Sequence, residues 1–341
     1  MSDPATLDDI DELRKDLEKS LGGRLYLGSD ERLRLRKLPL NIASLDAALD
    51  GGFAFDRIVL LIGEYSSGKT LLSMLAMKEA LDRNLTVGVV DAERSWTPEW
   101  AAALGIDPDK VLVARPRTGE EAFQAATAMV KRRVGVVVID SLAVLRASGE
   151  LDKPENEILS TQRVGGASQL INAGLATIMA ELDGSLVFCI NQLRMTPTMY
   201  GNPETLPGGR GQRFDAWQIV RVKRGDWLEE GTGAAKRRIG YKLKIIVEKN
   251  KQGSPFQTAE VPFYFTGEID ELAGLLDVAQ QLGIIGGKPP HYVLEIPNPE
   301  TGEIVPRKIF GRRRLLDAVR DEPEVREWLD ARLAAVKEVE V

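Results

Sequence analysis

The chain has 341 residues, 43% of them hydrophobic and 28% charged, an ordinary globular balance with length for about two domains. A single cysteine, Cys189, excludes an intrachain disulfide or a multi-cysteine zinc site, and a single histidine, His291, leaves little for His-based metal chemistry or a Ser-His-Asp triad. No apolar run approaches the ~20 residues of a membrane span and no charged-then-apolar leader opens the chain, so a reducing, cytoplasmic setting away from any membrane is expected.

The net charge of −6 is unevenly spread: Arg194 to Lys251 holds 13 Lys and Arg against 6 Asp and Glu, which leaves −13 on the remainder. On charge alone this basic stretch reads equally as a polyanion footprint or as solvated faces of exposed strands. In chain order, Ile10, Leu13, Leu17 and Leu21 recur at helical spacing, so a short amphipathic helix is expected over 8–20, followed by a turn at Gly22-Gly23. Strand-like runs at 58–62, 86–90, 111–114, 134–139 and 185–190 then alternate with helical stretches at 69–82, 97–104, 119–133 and 158–182. That alternation predicts a mostly parallel α/β sheet, whose buried strands read as continuous aliphatic runs.

Residues 194–213 are rich in Pro, Gly and Arg without periodicity, which marks a functional or disordered loop. Strands expected at 217–223, 239–248 and 259–265 would extend the sheet in antiparallel fashion. The rest reads as a small α+β unit: a helix at 268–282, a Gly/Pro break at 283–290, short strands and a terminal helix. The expected domains are therefore 1–35 (N-terminal helix and linker), 36–267 (core) and 268–341.

Gly63-Glu64-Tyr65-Ser66-Ser67-Gly68-Lys69-Thr70 is a complete P-loop pattern between an expected strand and helix. Its glycines let successive backbone N–H groups face phosphates, Lys69 suits the β/γ-phosphates, the Thr70 hydroxyl suits Mg²⁺, and the helix N-terminus adds its dipole. Asp140 ends the aliphatic run Val136–Ile139, at the sheet edge where open α/β sheets bind ligands, and is placed to hold the metal's hydration shell. Glu93, in Asp91-Ala92-Glu93, is a candidate to polarise a water for attack on the γ-phosphate, with a surface acid as the bland reading. Trp100 suits either base stacking or core packing. Arg194, Arg210 and Arg213, among glycines and prolines, suit sequence-independent phosphate binding. With only Tyr200 beside them, base-stacking platforms are not the expected mode. Cys189 reads as a buried small hydrophobe and His291 as a surface residue.

In order along the chain, these motifs resemble the RecA recombinase family. The P-loop is similar to that family's GPESSGKT, and Asp91 to Pro98 resembles its DAEHALDP stretch. Ile190-Asn191-Gln192-Leu193-Arg194-Met195, then Gly201-Asn202-Pro203-Glu204-Thr205 and Gly208-Gly209, resemble INQIRM…GNPET…GG, its second DNA-binding loop. Lys249-Asn250-Lys251 with Pro255-Phe256 resembles its KNK…PF segment. The resemblance implies a RecA-like P-loop ATPase core, an N-terminal polymerisation helix and a small C-terminal α+β domain. It implies a DNA-dependent ATPase that uses ATP and Mg²⁺, forms helical filaments on single-stranded DNA and exchanges strands with a homologous duplex.

Carried over, Glu93 is the catalytic base and Gln192 senses the γ-phosphate. Gly63, Ser66, Ser67, Gly68, Lys69, Thr70, Leu71 and Trp100 hold the nucleotide, with Lys249 and Lys251 reaching a neighbour's phosphates. Thr70 and Asp140 serve the metal, and Phe214 touches the next protomer. Arg194, Met195, Gly201, Asn202, Gly208, Gly209, Arg210 and Arg213 contact DNA. The chain departs from the family at Glu64 and Tyr65, at Thr97 where the family has an adenine-binding Asp, in the first DNA loop near 149–156, and over 280–341. A hexameric motor would share the P-loop but lack the GNPET loop. A mediator that binds ATP and DNA without turnover is separated from the recombinase reading by a turnover assay.

Overall fold

The computed structural model describes residues 6, 9–21, 25–151, 166–195, 204–209, 211–231, 235–269, 271–298 and 301–339. Contacts divide the chain into Met1–Arg36 and Lys37–Val341. Within the first unit, helix α1 (Ile10–Ser20) starts with Asp11 and Glu12 and ends near Lys19, the charge order that the helix dipole favours. Its Ile10, Leu13 and Leu17, with Leu21 just after, are all exposed on one face.

The second unit is built on an eight-stranded sheet. Its strands are β3 (Arg57–Gly63), β4 (Val87–Asp91), β5 (Val111–Ala114), β6 (Val136–Asp140), β7 (Leu186–Gln192), β10 (Gln218–Glu230), β11 (Arg237–Asn250) and β12 (Thr258–Tyr264). Two short pairs, β1–β2 (Lys37–Leu38, Phe53–Ala54) and β8–β9 (Arg194–Met195, Glu204–Thr205), lie outside it. The spatial order is β12-β11-β10-β3-β7-β6-β4-β5. Helices α3 (Lys69–Asp82), α4 (Pro98–Ala103) and α5 (Gly119–Lys131) follow α2 (Ala43–Ala48). Because side chains alternate along a strand, Val59, Leu61, Val138 and Phe188 pack with α3. Ile58, Leu60, Ile139 and Cys189 pack on the other face with α5 and the helix Gly166–Glu181. Both faces are covered, which is why the middle of each of these strands is apolar on both sides.

Four expectations change. Strand β10 joins β3 in parallel, and within this sheet the antiparallel pairs are β10–β11 and β11–β12. The chain reaches β10 from β7 through some 25 residues that include the helix Gly211–Asp215, a connection long enough to restore the strand direction. Strands β10 and β11 also run to 13 and 14 residues, well past the expected segments. Register shifts at Ile219/Val220, Arg224/Trp227 and Leu228/Glu229 break the two-residue alternation that would have revealed their length. In the C-terminal part, the expected Gly/Pro break contains strand β13 (Ile285–Lys288), which pairs with β14 (His291–Pro297) and, through it, β15 (Ile304–Phe310). The end forms two helices, Arg312–Asp321 and Pro323–Val339, since Pro323 has no N–H with which to continue the first. This part has its own apolar cluster, including Leu276, Leu294, Leu315, Trp328 and Leu329. Among the described residues no helix is long and apolar enough to cross a membrane.

Gly174 lets Gly166–Glu181 approach α5: a Cβ there would stand 2.3 Å from the Phe123 ring. Alanine normally gains about 1 kcal/mol over glycine inside a helix, but overpacking a rigid ring costs about 1–3 kcal/mol. Gly174→Ala should therefore lower the denaturant midpoint, and Phe123→Leu in the same chain should recover part of the loss.

Candidate nucleotide site

The parallel register sets the site. Gly63 at the end of β3 lies beside Gln192 on β7, and Asp91 on β4 lies beside Asp140 on β6, so all four emerge at one carboxyl edge. The loop after β3 needs glycine at two points. A Cβ on Gly63 would meet the Val222 carbonyl oxygen at 2.3 Å, and Gly68 has φ +99° with Leu243 Cδ1 2.4 Å from where its Cβ would be. Gly68 then caps α3, whose first-turn N–H groups have no partners within the helix and point toward an anion site. Lys69 is buried and its Nζ donates to Glu64 O (2.6 Å), Gly63 O (3.2 Å) and Ser67 Oγ (3.4 Å). Burial pushes its pKa down, against the pull of Asp140, Glu93 and Glu64.

Asp140 is a buried carboxylate of this edge, and its Oδ2 accepts the Thr70 hydroxyl at 2.7 Å. Burial, reinforced by Glu93 and Asp91, pushes its pKa up to about 6 against the opposing Thr70 hydrogen bond and Lys69 charge. The Asp140 carbonyl accepts the backbone N–H groups of Ala92 (2.8 Å) and Glu93 (3.1 Å), which fixes the Glu93 backbone. The Glu93 carboxylate accepts from the Ser141 hydroxyl and from Gln192 Nε2 at 3.1 Å. Asp91, also buried, accepts from Ser95 N (2.8 Å), Trp96 N (3.3 Å) and Arg115 Nε (3.3 Å), and so shapes the turn that carries Glu93. Thr70, Lys69, Asp140, Glu93 and Gln192, picked out along 124 residues of sequence, are thus brought together.

A hydroxyl and a carboxylate at the mouth of the P-loop turn are the hard oxygen donors that Mg²⁺ takes, and Asp140 and Glu93 outnumber the one nearby lysine, Asp91 being paired with Arg115. The residues present fit that ion.

Ser67 and Leu71 are buried, while Ser66 is exposed with φ +54°. Trp100 packs edge-on to Phe263 at 6.3 Å and shares a small cavity beneath α3 with Thr70, Asp91, Thr97 and Asp140. Thr97 is the N-cap of α4, its hydroxyl accepting Trp100 N at 3.4 Å. Arg194 and Met195 are exposed on β8, Gly208 is buried, and Gly209 is exposed. Gly201, Asn202 and Arg210 lie outside the described residues, as does most of the expected first DNA loop. Arg213 is drawn into an ion network: it pairs with Glu248 at 3.3 Å, and Arg221 joins that carboxylate to Glu204 through two 2.7 Å bonds. Lys249 Nζ donates to Ala216 O (2.6 Å), Arg213 O (2.7 Å) and Phe214 O (3.3 Å) at the end of the helix that exposes Phe214. Lys251 Nζ lies 5.3 Å from the Trp217 ring centroid. Neither lysine hydrogen-bonds to the P-loop or Glu93 of its own chain among the described residues.

Sequence reasoning assigned no role to Ser141, Arg221, Glu248 or Gln212. Ser141 directly follows the strand-end Asp140; Arg221 and Glu248 carry no local signal because their partners are remote in sequence, and Gln212 reads as one more polar residue at the end of the loop.

A P-loop at the carboxyl edge of a mostly parallel sheet defines a nucleotide-site scaffold. The family model for the RecA N-terminal domain matches residues 8–270. The chain is 34% identical over 281 residues to Protein RecA of Synechococcus sp. (strain CC9902), spanning 81% of this chain and 73% of that protein. It is equally similar, 34% over 283 residues with 81% and 73% covered, to Protein RecA of Levilactobacillus brevis. The chain belongs to the RecA family.

The raised Asp140 pKa has a definite sign. Between the unfolded value of 3.8 and about 6 the folded chain binds more protons than the unfolded one, so stability falls as pH rises through that window. In nucleotide- and magnesium-free buffer, Asp140→Asn should gain about 2–3 kcal/mol on the wild type between pH 4 and pH 7.5 in denaturant titrations. A constant difference between the two proteins across that range would contradict this.

Proposed function

We propose that the chain is an ATP-dependent DNA recombinase that assembles into helical filaments on single-stranded DNA, hydrolyses ATP between protomers, and pairs the bound strand with a homologous duplex. The observation that carries this reading is Gln192. Its side chain holds Glu93 at 3.1 Å, and two residues later the chain enters the β8–β9 stem of the loop that resembles the family's second DNA loop. The names of the similar proteins and the P-loop geometry support it.

In this reading Lys69 exchanges its three oxygen partners for the β/γ-phosphates, alongside the N–H groups of the loop and α3. Thr70 and Asp140 would hold Mg²⁺, which would supply charge neutralisation when bound. Glu93 takes the proton of the attacking water, oriented by Ser141 and Gln192. Trp100 stacks on the base. Lys249 and Lys251 complete the site of the neighbouring protomer, where Phe214 and residues 1–35 make the subunit contact. Arg194, Met195, Gly201, Asn202, Gly208, Gly209, Arg210 and Arg213 line the DNA path, in a cytoplasmic protein whose residues 268–341 form a separate small domain.

Lys69→Ala should abolish turnover and weaken nucleotide binding. Glu93→Gln should keep binding while turnover falls about 100-fold or more, because only proton transfer is removed; normal turnover in that variant would reassign the base. The Lys249→Ala, Lys251→Ala double variant should bind ATP but neither form filaments nor hydrolyse it. Mixed with Glu93→Gln protein it should regain part of the DNA-stimulated turnover, since some junctions pair an intact Glu93 with intact lysines. Mixtures that co-assemble on DNA yet stay inactive at every ratio would remove the lysines from the neighbour's site.

A further inference from the structure

The stem of the DNA loop is joined to the candidate base by an unbroken chain of hydrogen bonds through two buried amides. Gln212, in the helix after the loop, donates from Nε2 to Pro207 O (2.7 Å) and Gly209 O (2.9 Å). Its Oε1 accepts from Asn191 Nδ2 at 2.7 Å, and that same nitrogen donates to Pro207 O at 2.8 Å. Asn191 Oδ1 in turn accepts the backbone N–H of Gln192 at 2.8 Å, and the Gln192 side chain donates to Glu93 Oε1 at 3.1 Å. Asn191 is 0% and Gln212 1% exposed, so water cannot replace any partner they lose.

Every donor and acceptor of both amides is used, and an amide left unpaired in so buried a site is costly. A displacement of the 207–209 stem cannot therefore be absorbed between Gln212 and Asn191. It must pass to the Gln192 backbone or break the pair. Gly208 fits the same constraint: it is buried with φ +85°, and a Cβ there would lie 2.5 Å from Ile171 Cδ1 and 3.3 Å from Gln212 Nε2.

We propose that Gln212 is a positioning residue, and that the Asn191–Gln212 pair transmits the position of the DNA loop to Gln192 and Glu93, so that DNA binding sets the rate of ATP hydrolysis. This rests on the recombinase reading for its activity test, but its structural part can be measured without nucleotide or DNA.

The test compares wild type with Gln212→Leu, which keeps bulk and loses the amide. ATP turnover is measured with and without an oligo-dT strand, and affinity for that strand separately. The ratio of stimulated to unstimulated turnover should fall about tenfold, a usual size for coupling between sites, while oligo-dT affinity changes less than about threefold. Adding Gln192→Ala should lower the ratio no further than Gln192→Ala does alone, because both changes cut one path. Additive losses, or affinity and stimulation falling in step, would overturn the proposal and leave Gln212 a purely structural member of the stem. Should Gln212→Leu not fold, Gln212→Glu keeps the acceptor for Asn191 but donates only when protonated. Its stimulation should be low at pH 8 and recover toward pH 6, and a loss independent of pH would count against the relay. In the free chain, hydrogen exchange at the Gln192 N–H should speed up in the variant that folds. If it does so while wild type shows no DNA-stimulated turnover, the recombinase reading fails and the relay stands; unchanged exchange ends the relay.

Discussion

Asp140 and Ser141 sit where β6 leaves the sheet, and through them the P-loop helix and the turn carrying Glu93 become one rigid object. The Asp140 carboxylate takes the Thr70 hydroxyl, its carbonyl takes two consecutive N–H groups of the Ala92–Glu93 turn, and Ser141 holds the Glu93 side chain. Apolar residues pack both faces of the parallel strands, so the carboxylates of β4 and β6 lie at this edge, where open α/β sheets bind ligands. The carboxylates of this edge are therefore crowded where burial disfavours their charged forms, as the raised Asp140 pKa shows. On the proposed reading, a cation and a phosphate bound there would relieve that cost.

What the sequence made legible and what it did not divide along physical lines. Strands β3 to β7 and the helices among them follow from unbroken aliphatic runs and regular periodicity, and the P-loop from residues fixed at single spacings. The direction of β10 did not follow, because a crossover and a hairpin return look alike once periodicity is lost in a loop. The reach of the β10–β11 ribbon was hidden by bulges, and the second C-terminal helix by a terminal stretch that reads as one helix until Pro323 is seen to restart it. Thr97 is instructive. Its sequence position matches an adenine-binding acid, yet in the structure its hydroxyl caps α4, a local duty common to threonine before a helix.

Charge counting also gave an incomplete picture. The surplus between Arg194 and Lys251 suggested a broad basic surface, but many of its cations are individually paired, mostly with acids already subtracted in that count and, at Glu260, with one outside the segment. Arg213 and Arg221 face Glu248 and Glu204, Lys236 and Arg237 face Glu229 and Glu230 across the ribbon, and Lys242 and Lys244 share Glu260. Arg224 and Arg238 lie over Trp227. Partners a strand apart are invisible to a linear count, yet cross-strand pairing is how a sheet accommodates alternating charge.

Lys249 has an ammonium group with three hydrogens and three carbonyl oxygens already accepting them. Any anion that recruits this lysine must first strip those oxygens, which end the short helix displaying Phe214. Recruitment and loosening of that helix are then the same event, seen from opposite ends of one side chain.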